Sequence, residues 1–176
     1  MSKLVIPDPS VVVLVAAAGA GKSTFAARHF EPAEVLSSDA YRAHIAGDEA
    51  DQRATHTAFR RLHRDLERRL AQRRLTVIDA TNVERSARRE LVARAMAAGL
   101  PAMAIVLDLP ASVIRARNAG RSTRIVDEDV VRRHLTRLRG WLDRPGPPFD
   151  GEGFARVVVL RDSLEVDSIT ILRQAG

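Results

Sequence analysis

Cysteine is absent from the 176 residues, which excludes disulfides, thiol catalysis and cysteine-ligated zinc in one step. Lysine is almost absent too: it stands only at Lys3 and Lys22, so nearly all the basic charge is arginine. With 1 Trp and 1 Tyr, the chain offers few aromatic platforms on which single-stranded bases could stack. No run of 18 apolar residues occurs and Met1-Ser2-Lys3 does not open a signal peptide, so a soluble cytoplasmic protein with no membrane partner is expected. No internal repeat or second domain is visible, and a hydrophobic content of 45% suits a single globular domain over residues 1–176 with a full core. The net charge of +6 and a pI near 11.0 suggest an anionic partner. Arginine in an alanine-rich background also reads as compositional bias and as solvated helix faces, so charge by itself speaks only weakly for nucleic acid.

What is present is an alternation of buried strands and helices. After an irregular lead-in over 4–10 punctuated by Pro7 and Pro9, the β-branched run 11–16 predicts a strand and 22–29 a helix ended by Pro32. Short strands are expected at 35–37, 75–79, 103–107 and 155–160, and a last one near 168–172. Helices are expected over 51–74, where Ala54, Ala58, Leu62, Leu66 and Leu70 share a face, and over 84–98, stopped by Gly99 and Pro101. A further helix starts with Pro110 at its first position and runs to Asn118. Residues 127–141 carry Asp127, Glu128 and Asp129 in the first turn of another, where the macrodipole favours acids. The Pro/Gly segment 143–153 reads as a surface loop, mobile or disordered. This order implies an α/β fold: a parallel central sheet of about five strands with helices on both faces.

The chemistry gathers after the first of these strands. Ala16-Ala17-Ala18-Gly19-Ala20-Gly21-Lys22-Ser23 matches G-x-x-x-x-G-K-[ST] except at its first position, and it sits between a strand and a helix as a P-loop must. Backbone N–H groups of Ala18, Gly19, Ala20, Gly21, Lys22 and Ser23, with Thr24 beyond them, would cradle phosphates at a helix N-terminus. Lys22 would reach the β/γ-phosphates of ATP or another NTP, and Ser23 would take a Mg²⁺ position. In open α/β sheets ligands collect at the carboxyl ends of strands, and Asp39 and Asp79 both fall there. Asp39 is a candidate general base for an attacking hydroxyl or an N-cap; Arg42, one turn on, is placed to hold a substrate phosphate. Asp79 is a candidate Mg²⁺ carboxylate, direct or through water, or part of an Asx turn with Thr81 and Asn82. Arg115, Arg117, Arg121 and Arg124 suit an Arg-rich lid over the nucleotide, with Arg117 and Arg121 sharing a face. The five histidines, His29, His44, His56, His63 and His134, read as surface or structural residues.

Gly19 to Ala26, Val35-Leu36-Ser37-Ser38-Asp39-Ala40-Tyr41-Arg42 and Leu75-Thr76-Val77-Ile78-Asp79-Ala80-Thr81-Asn82-Val83 together resemble the kinase module of bacterial polynucleotide kinase–phosphatases. The resemblance spans nearly the whole chain. It implies transfer of the γ-phosphate of ATP or another NTP to the 5′-hydroxyl end of RNA or DNA in repair. By motif match, Lys22 would stabilise the transferring phosphoryl, Ser23 would bind Mg²⁺ and Asp39 would activate the hydroxyl. Arg42 would hold the phosphate beside the terminal nucleoside, and Arg117, Arg121 and Arg124 would clamp the nucleotide. Two departures stand out: Ala16-Ala17-Ala18 replaces Gly and Ser, and the 143–153 segment is long. Family members continue into phosphatase and ligase modules, so the expectation is an excised domain or a free-standing kinase, with a homodimer left open. Two other readings stay open: a kinase of a small metabolite or nucleoside, and a nucleotide-binding regulatory module.

Overall fold

The computed structural model describes residues 2–46, 52–120 and 125–175. Its centre is a five-stranded parallel sheet in the order β3-β4-β2-β5-β6, formed by β2 (Val11–Ala16), β3 (Val35–Ser37), β4 (Thr76–Asp79), β5 (Ala102–Leu107) and β6 (Arg156–Leu160). Every residue of β2, β4 and β5 is buried, as strands covered on both faces require. The helices are α1 (Lys22–His29), α2 (Ser38–Ala46), α3 (Gln52–Ala71), α4 (Arg85–Ala97), α5 (Ala111–Ala119), α6 (Glu128–Leu142) and α7 (Ser163–Ser168). Alternation along β2 divides the core. Val12, Leu14 and Ala16 face Phe25 and Ala26 of α1, Ile114 of α5 and Val131 and Leu135 of α6. Val11, Val13 and Val15 face Leu62, Leu66 and Leu70 of α3, Leu91, Val92 and Ala95 of α4, and Leu138 and Leu142 of α6. Among the described residues no helix is long and apolar enough to cross a membrane.

Three expectations are corrected. The lead-in is not irregular: β1 (Lys3–Asp8) pairs in parallel with β7 (Thr170–Ala175) as a separate two-stranded sheet. Leu4 and Ile6 alternate inward from β1 onto the α1 side of the core, while Pro7, with no N–H to donate, is tolerated near the end of such a marginal strand. Pro110 is the N-cap of α5, with extended ψ, rather than its first helical residue. Most consequentially, the segment 143–153 is anchored: Phe149 and Glu152 are buried. The Glu152 carboxylate accepts two bonds from Arg88 of α4, at 2.7 Å from Nε and 2.6 Å from Nη2. The Arg88 guanidinium lies 3.9 Å from the centre of the Phe149 ring. Proline and glycine set the turns of this loop, but a charged pair with both side chains at 0% exposure decides its order.

Arg88 also donates from Nη1 to the carbonyls of Asn82 and Val83, at 3.0 and 2.9 Å, so the anchor continues into the loop after β4. On the other edge, α2 is latched to α3 by the Tyr41 hydroxyl donating to Asp65 at 2.6 Å. Burial, and then that hydrogen bond, push the Tyr41 phenol up to about 12.

Removing one member of a buried pair leaves the other charge unmatched, a loss of about 3–5 kcal/mol. Glu152→Ala is therefore expected to lower stability by about that amount in urea unfolding, and to expose 143–153 to limited proteolysis. Glu152→Gln, which keeps acceptor and shape, should lose less.

Candidate active site

The loop 17–21 leaves the buried end of β2 and enters α1 at Gly21. Gly19 and Gly21 have φ of 85° and 99°, in the left-handed region where glycine carries no Cβ penalty. Both are also crowded. A Cβ on Gly19 would stand 3.2 Å from the Asn118 Cβ, and one on Gly21 would stand 3.1 Å from Nη1 of Arg117. The missing first glycine is explained by position. Ala16 is the last residue of β2, fully buried, with its N–H donated to the Thr81 carbonyl at 3.0 Å, and its methyl packs in the core. An alanine there serves the strand without touching the loop's turn.

Lys22 is buried, and its ammonium donates to the carbonyl of Ala17 at 3.1 Å. The Ser23 hydroxyl donates to Asp79 Oδ2 at 2.7 Å, which puts the end of β4 directly on the first turn of α1. The turn after β4 belongs instead to Asn82, at φ 49°, whose amide donates to Leu14 O at 2.8 Å. Asp79 thus faces the loop rather than closing an Asx turn.

Asp39 lies in the first turn of α2 and is ion-paired with Arg42. It is not the cap: Ser37 Oγ occupies that place, accepting the Ala40 N–H over a long 3.5 Å. Arg42 is mostly buried, and its Nε has no hydrogen-bond partner among the described residues. These side chains share one cavity of about 310 Å³, whose walls include Gly19, Gly21, Lys22, Ser23, Asp39, Arg42 and Asp79.

Arg117 sits elsewhere. Its Nη1 donates to the Ala20 carbonyl at 2.9 Å and its Nη2 to Ser163 Oγ at 3.3 Å, from behind the loop. There it lines a second cavity of about 370 Å³ with Thr24, Arg28, Val166 and Asp167, and Gly19 and Gly21 form the shared wall. Arg121 and Arg124 lie outside the described residues. The two ends of the segment that holds them are tied together by Asn118, whose amide donates to Val126 O at 2.6 Å and accepts from Val126 N at 3.0 Å.

One residue of the site, His134, reads from the sequence only as surface or structural, and its position corrects that reading. His134, on α6, lines the Asp39 cavity, and its Nδ1 accepts the Ala18 N–H at 3.3 Å. Burial first, then the charges of Lys22 and Arg133, hold its pKa below the ordinary histidine value. The only signal in the sequence is its i+4 spacing from Val130, another wall residue.

The donor set fits a nucleotide with Mg²⁺. Loop amides and Lys22 suit phosphate oxygens, while one hydroxyl and one carboxylate suit a hard cation that keeps substrate phosphates among its ligands.

Fold and site together define a P-loop kinase-like nucleotide-binding domain. More narrowly, the chain belongs to a family of AAA domains, AAA_33, which matches residues 11–145. No curated protein matches it significantly. Among solved structures it is similar to a gluconokinase from Sinorhizobium meliloti 1021, at 19% identity and TM-score 0.58, covering 92% of this chain and 87% of that one. It is also similar to a chain of the Pnkp1/Rnl/Hen1 RNA repair complex, at 21% identity and TM-score 0.67, covering 78% of this chain and 46% of that one. A shikimate kinase from Bacteroides thetaiotaomicron aligns at 15% identity and TM-score 0.51, over 90% and 93% of the two chains. At such identities the likeness speaks for the fold.

The geometry separates the glycines by role. Ala16→Gly should lower stability by about 1 kcal/mol through lost strand preference and a lost buried methyl, with no gain in affinity for a fluorescent ATP analogue. Gly21→Ala, strained by about 1–3 kcal/mol at its positive φ and pressed on Arg117, should lose most of that affinity. Thermal unfolding and fluorescence titration check both.

Proposed function

We propose that this protein is a cytoplasmic Mg²⁺–ATP-dependent kinase that transfers the γ-phosphate to the 5′-hydroxyl end of RNA or DNA. The observation that carries the reading is the cavity that unites Lys22, Ser23 and Asp79 with the Asp39–Arg42 pair. A nucleotide's phosphates would occupy the loop 17–23, and its nucleoside would lie on the Arg117 side with Thr24 and Val166. Lys22 would neutralise charge on the transferring group, and Ser23 with Asp79 would hold the Mg²⁺ that supplies further charge neutralisation. The carboxylate of Asp39 would take the proton of the attacking hydroxyl. Arg42, whose Nε is already desolvated and has no hydrogen-bond partner among the described residues, would receive the acceptor's phosphate.

The acceptor side supports a large substrate. A groove of about 840 Å³ runs between α3 and α4, floored by Leu62, Ile78, Val83 and Leu91. It shares Thr55, Phe59 and Thr81 with the Asp39 cavity. On its rim Glu67 and Glu90 are paired with Arg94 and Glu84 with Arg137, while Arg60 and Arg64 have no carboxylate within ion-pair distance among the described residues. An oligonucleotide strand, anionic and longer than one sugar, suits such a groove. A second reading, a kinase of a small hydroxylated metabolite, is supported by the end-to-end correspondence with the gluconokinase.

With labelled ATP and a 5′-hydroxyl oligonucleotide, the wild-type protein should label the 5′ end. A sugar acid accepting phosphate faster than any oligonucleotide would decide for the second reading. Asp39→Asn should lower labelling by about 10²–10⁴-fold, the usual share of a general base, while nucleotide binding persists; Lys22→Met should lower both.

A further inference from the structure

We propose that His134 is a phosphate-binding residue of this site: its neutral ring caps the Ala18 amide of the open loop, and its protonated ring donates to the phosphate that takes its place. The inference rests on the loop 17–23 holding a nucleotide's phosphates, as proposed above.

The geometry sets two states of one nitrogen. Nδ1 accepts the Ala18 N–H at 3.3 Å, so it carries no proton, and the neutral ring holds its hydrogen on Nε2. The same amide is one of the donors that a P-loop offers to an anion. A phosphate oxygen and Nδ1 therefore compete for it. An unprotonated Nδ1 facing a phosphate oxygen would set two acceptors against each other; with a proton, it becomes a donor and adds a positive charge beside the anion.

The surroundings favour that exchange. Lys22 of α1 and Arg133 of α6 are the charges that reach the ring, and with burial they hold it neutral. From the opposite walls, Asp39 of α2 is paired with Arg42 and Asp79 of β4 is engaged by Ser23, so neither carboxylate stabilises an imidazolium. Arg137, one turn along α6, is paired with Glu84. A polyphosphate brings several negative charges against Lys22 and reverses the local balance, which raises the affinity of the ring for a proton. No bond is made or broken beyond the proton, which is taken from solvent.

The test is titration calorimetry with Mg²⁺–ADP, at pH 6.5 in buffers of different ionisation enthalpy and across pH 6 to 8. The proteins are wild type, His134→Gln and His134→Ala. Glutamine keeps an acceptor for the Ala18 amide but cannot be protonated. Wild type should take up more protons on binding than His134→Gln, by an amount approaching one per site, because protons bound by the nucleotide itself cancel in the difference. Its affinity should rise severalfold relative to His134→Gln as pH falls from 8 to 6, and the two should agree at pH 8. The His134 ring resonances should titrate at higher pH when the nucleotide is bound than when it is absent. His134→Ala, which frees the amide, should bind at least as well as His134→Gln at pH 8. Equal proton uptake and parallel pH profiles in wild type and His134→Gln overturn the role of His134 while leaving nucleotide binding standing. Absence of Mg²⁺–ADP binding by wild type at every pH overturns both.

Discussion

The carboxyl edge of the sheet depends on how the end of β2 is stitched to the loop after β4. Ala16 donates its N–H to Thr81 O at 3.0 Å, and Asn82 reaches back to Leu14 O at 2.8 Å. These two bonds fix where the P-loop departs and where Asp79 stops, so that Ser23 and Asp79 meet at 2.7 Å. Neither strand can slide to relieve the arrangement. A shift of one residue would turn Val11, Val13 and Val15 away from α3 and α4 and onto α1, emptying both halves of the core at once. The phosphate site inherits its precision from burial on two faces.

That edge is reinforced from a distance. Arg88 spends its guanidinium on Glu152 and on the Asn82 and Val83 carbonyls, joining a loop near the C-terminal strands to the turn beside Asp79. A buried ion pair is weak evidence for net stability, since desolvation offsets much of its attraction. What it does supply is direction: five donors in a planar fork allow one orientation among these acceptors. The P-loop, with two residues held at positive φ, is the part of the edge with most conformational freedom to lose, and it is braced by this framework on one side and by Arg117 on Ala20 on the other.

The sequence is legible where the physical cause is local. The runs at 11–16, 75–79 and 103–107 are short and largely apolar, and alternating with helices they suit a parallel sheet covered on both faces. Lys22 and Ser23 follow from the spacing of the loop, and Asp39, Arg42 and Asp79 from the rule that strand ends converge. It fails where the cause is a partner far along the chain. The composition of 143–153 speaks for a mobile loop, and only Arg88, 64 positions from Glu152, shows otherwise. The strand character of Leu4 and Ile6 needs Thr170–Ala175 beside it. His134 is 116 positions from the amide it caps, and no motif links them. Arg117 was expected over the nucleotide with Arg121 and Arg124; its actual hold on Ala20 comes with α5 packing so close that a Cβ on Gly19 would stand 3.2 Å from the Asn118 Cβ.

The placement of Arg117 changes what the loop is. Gly19 and Gly21 form a thin partition with the Lys22–Asp39 cavity on one side and the Arg117–Thr24 cavity on the other. A donor nucleotide laid across that partition would put its triphosphate and its nucleoside in different compartments, leaving Asp39 and Arg42 to face only the terminal phosphoryl. On the proposed kinase reading, the attacking hydroxyl would approach along the α3–α4 groove, which shares Thr55, Phe59 and Thr81 with the Asp39 cavity. Side-chain bulk at the partition would close both compartments together, which is why the two glycines, rather than the alanine at the start of the motif, carry the loop's requirement for having no side chain.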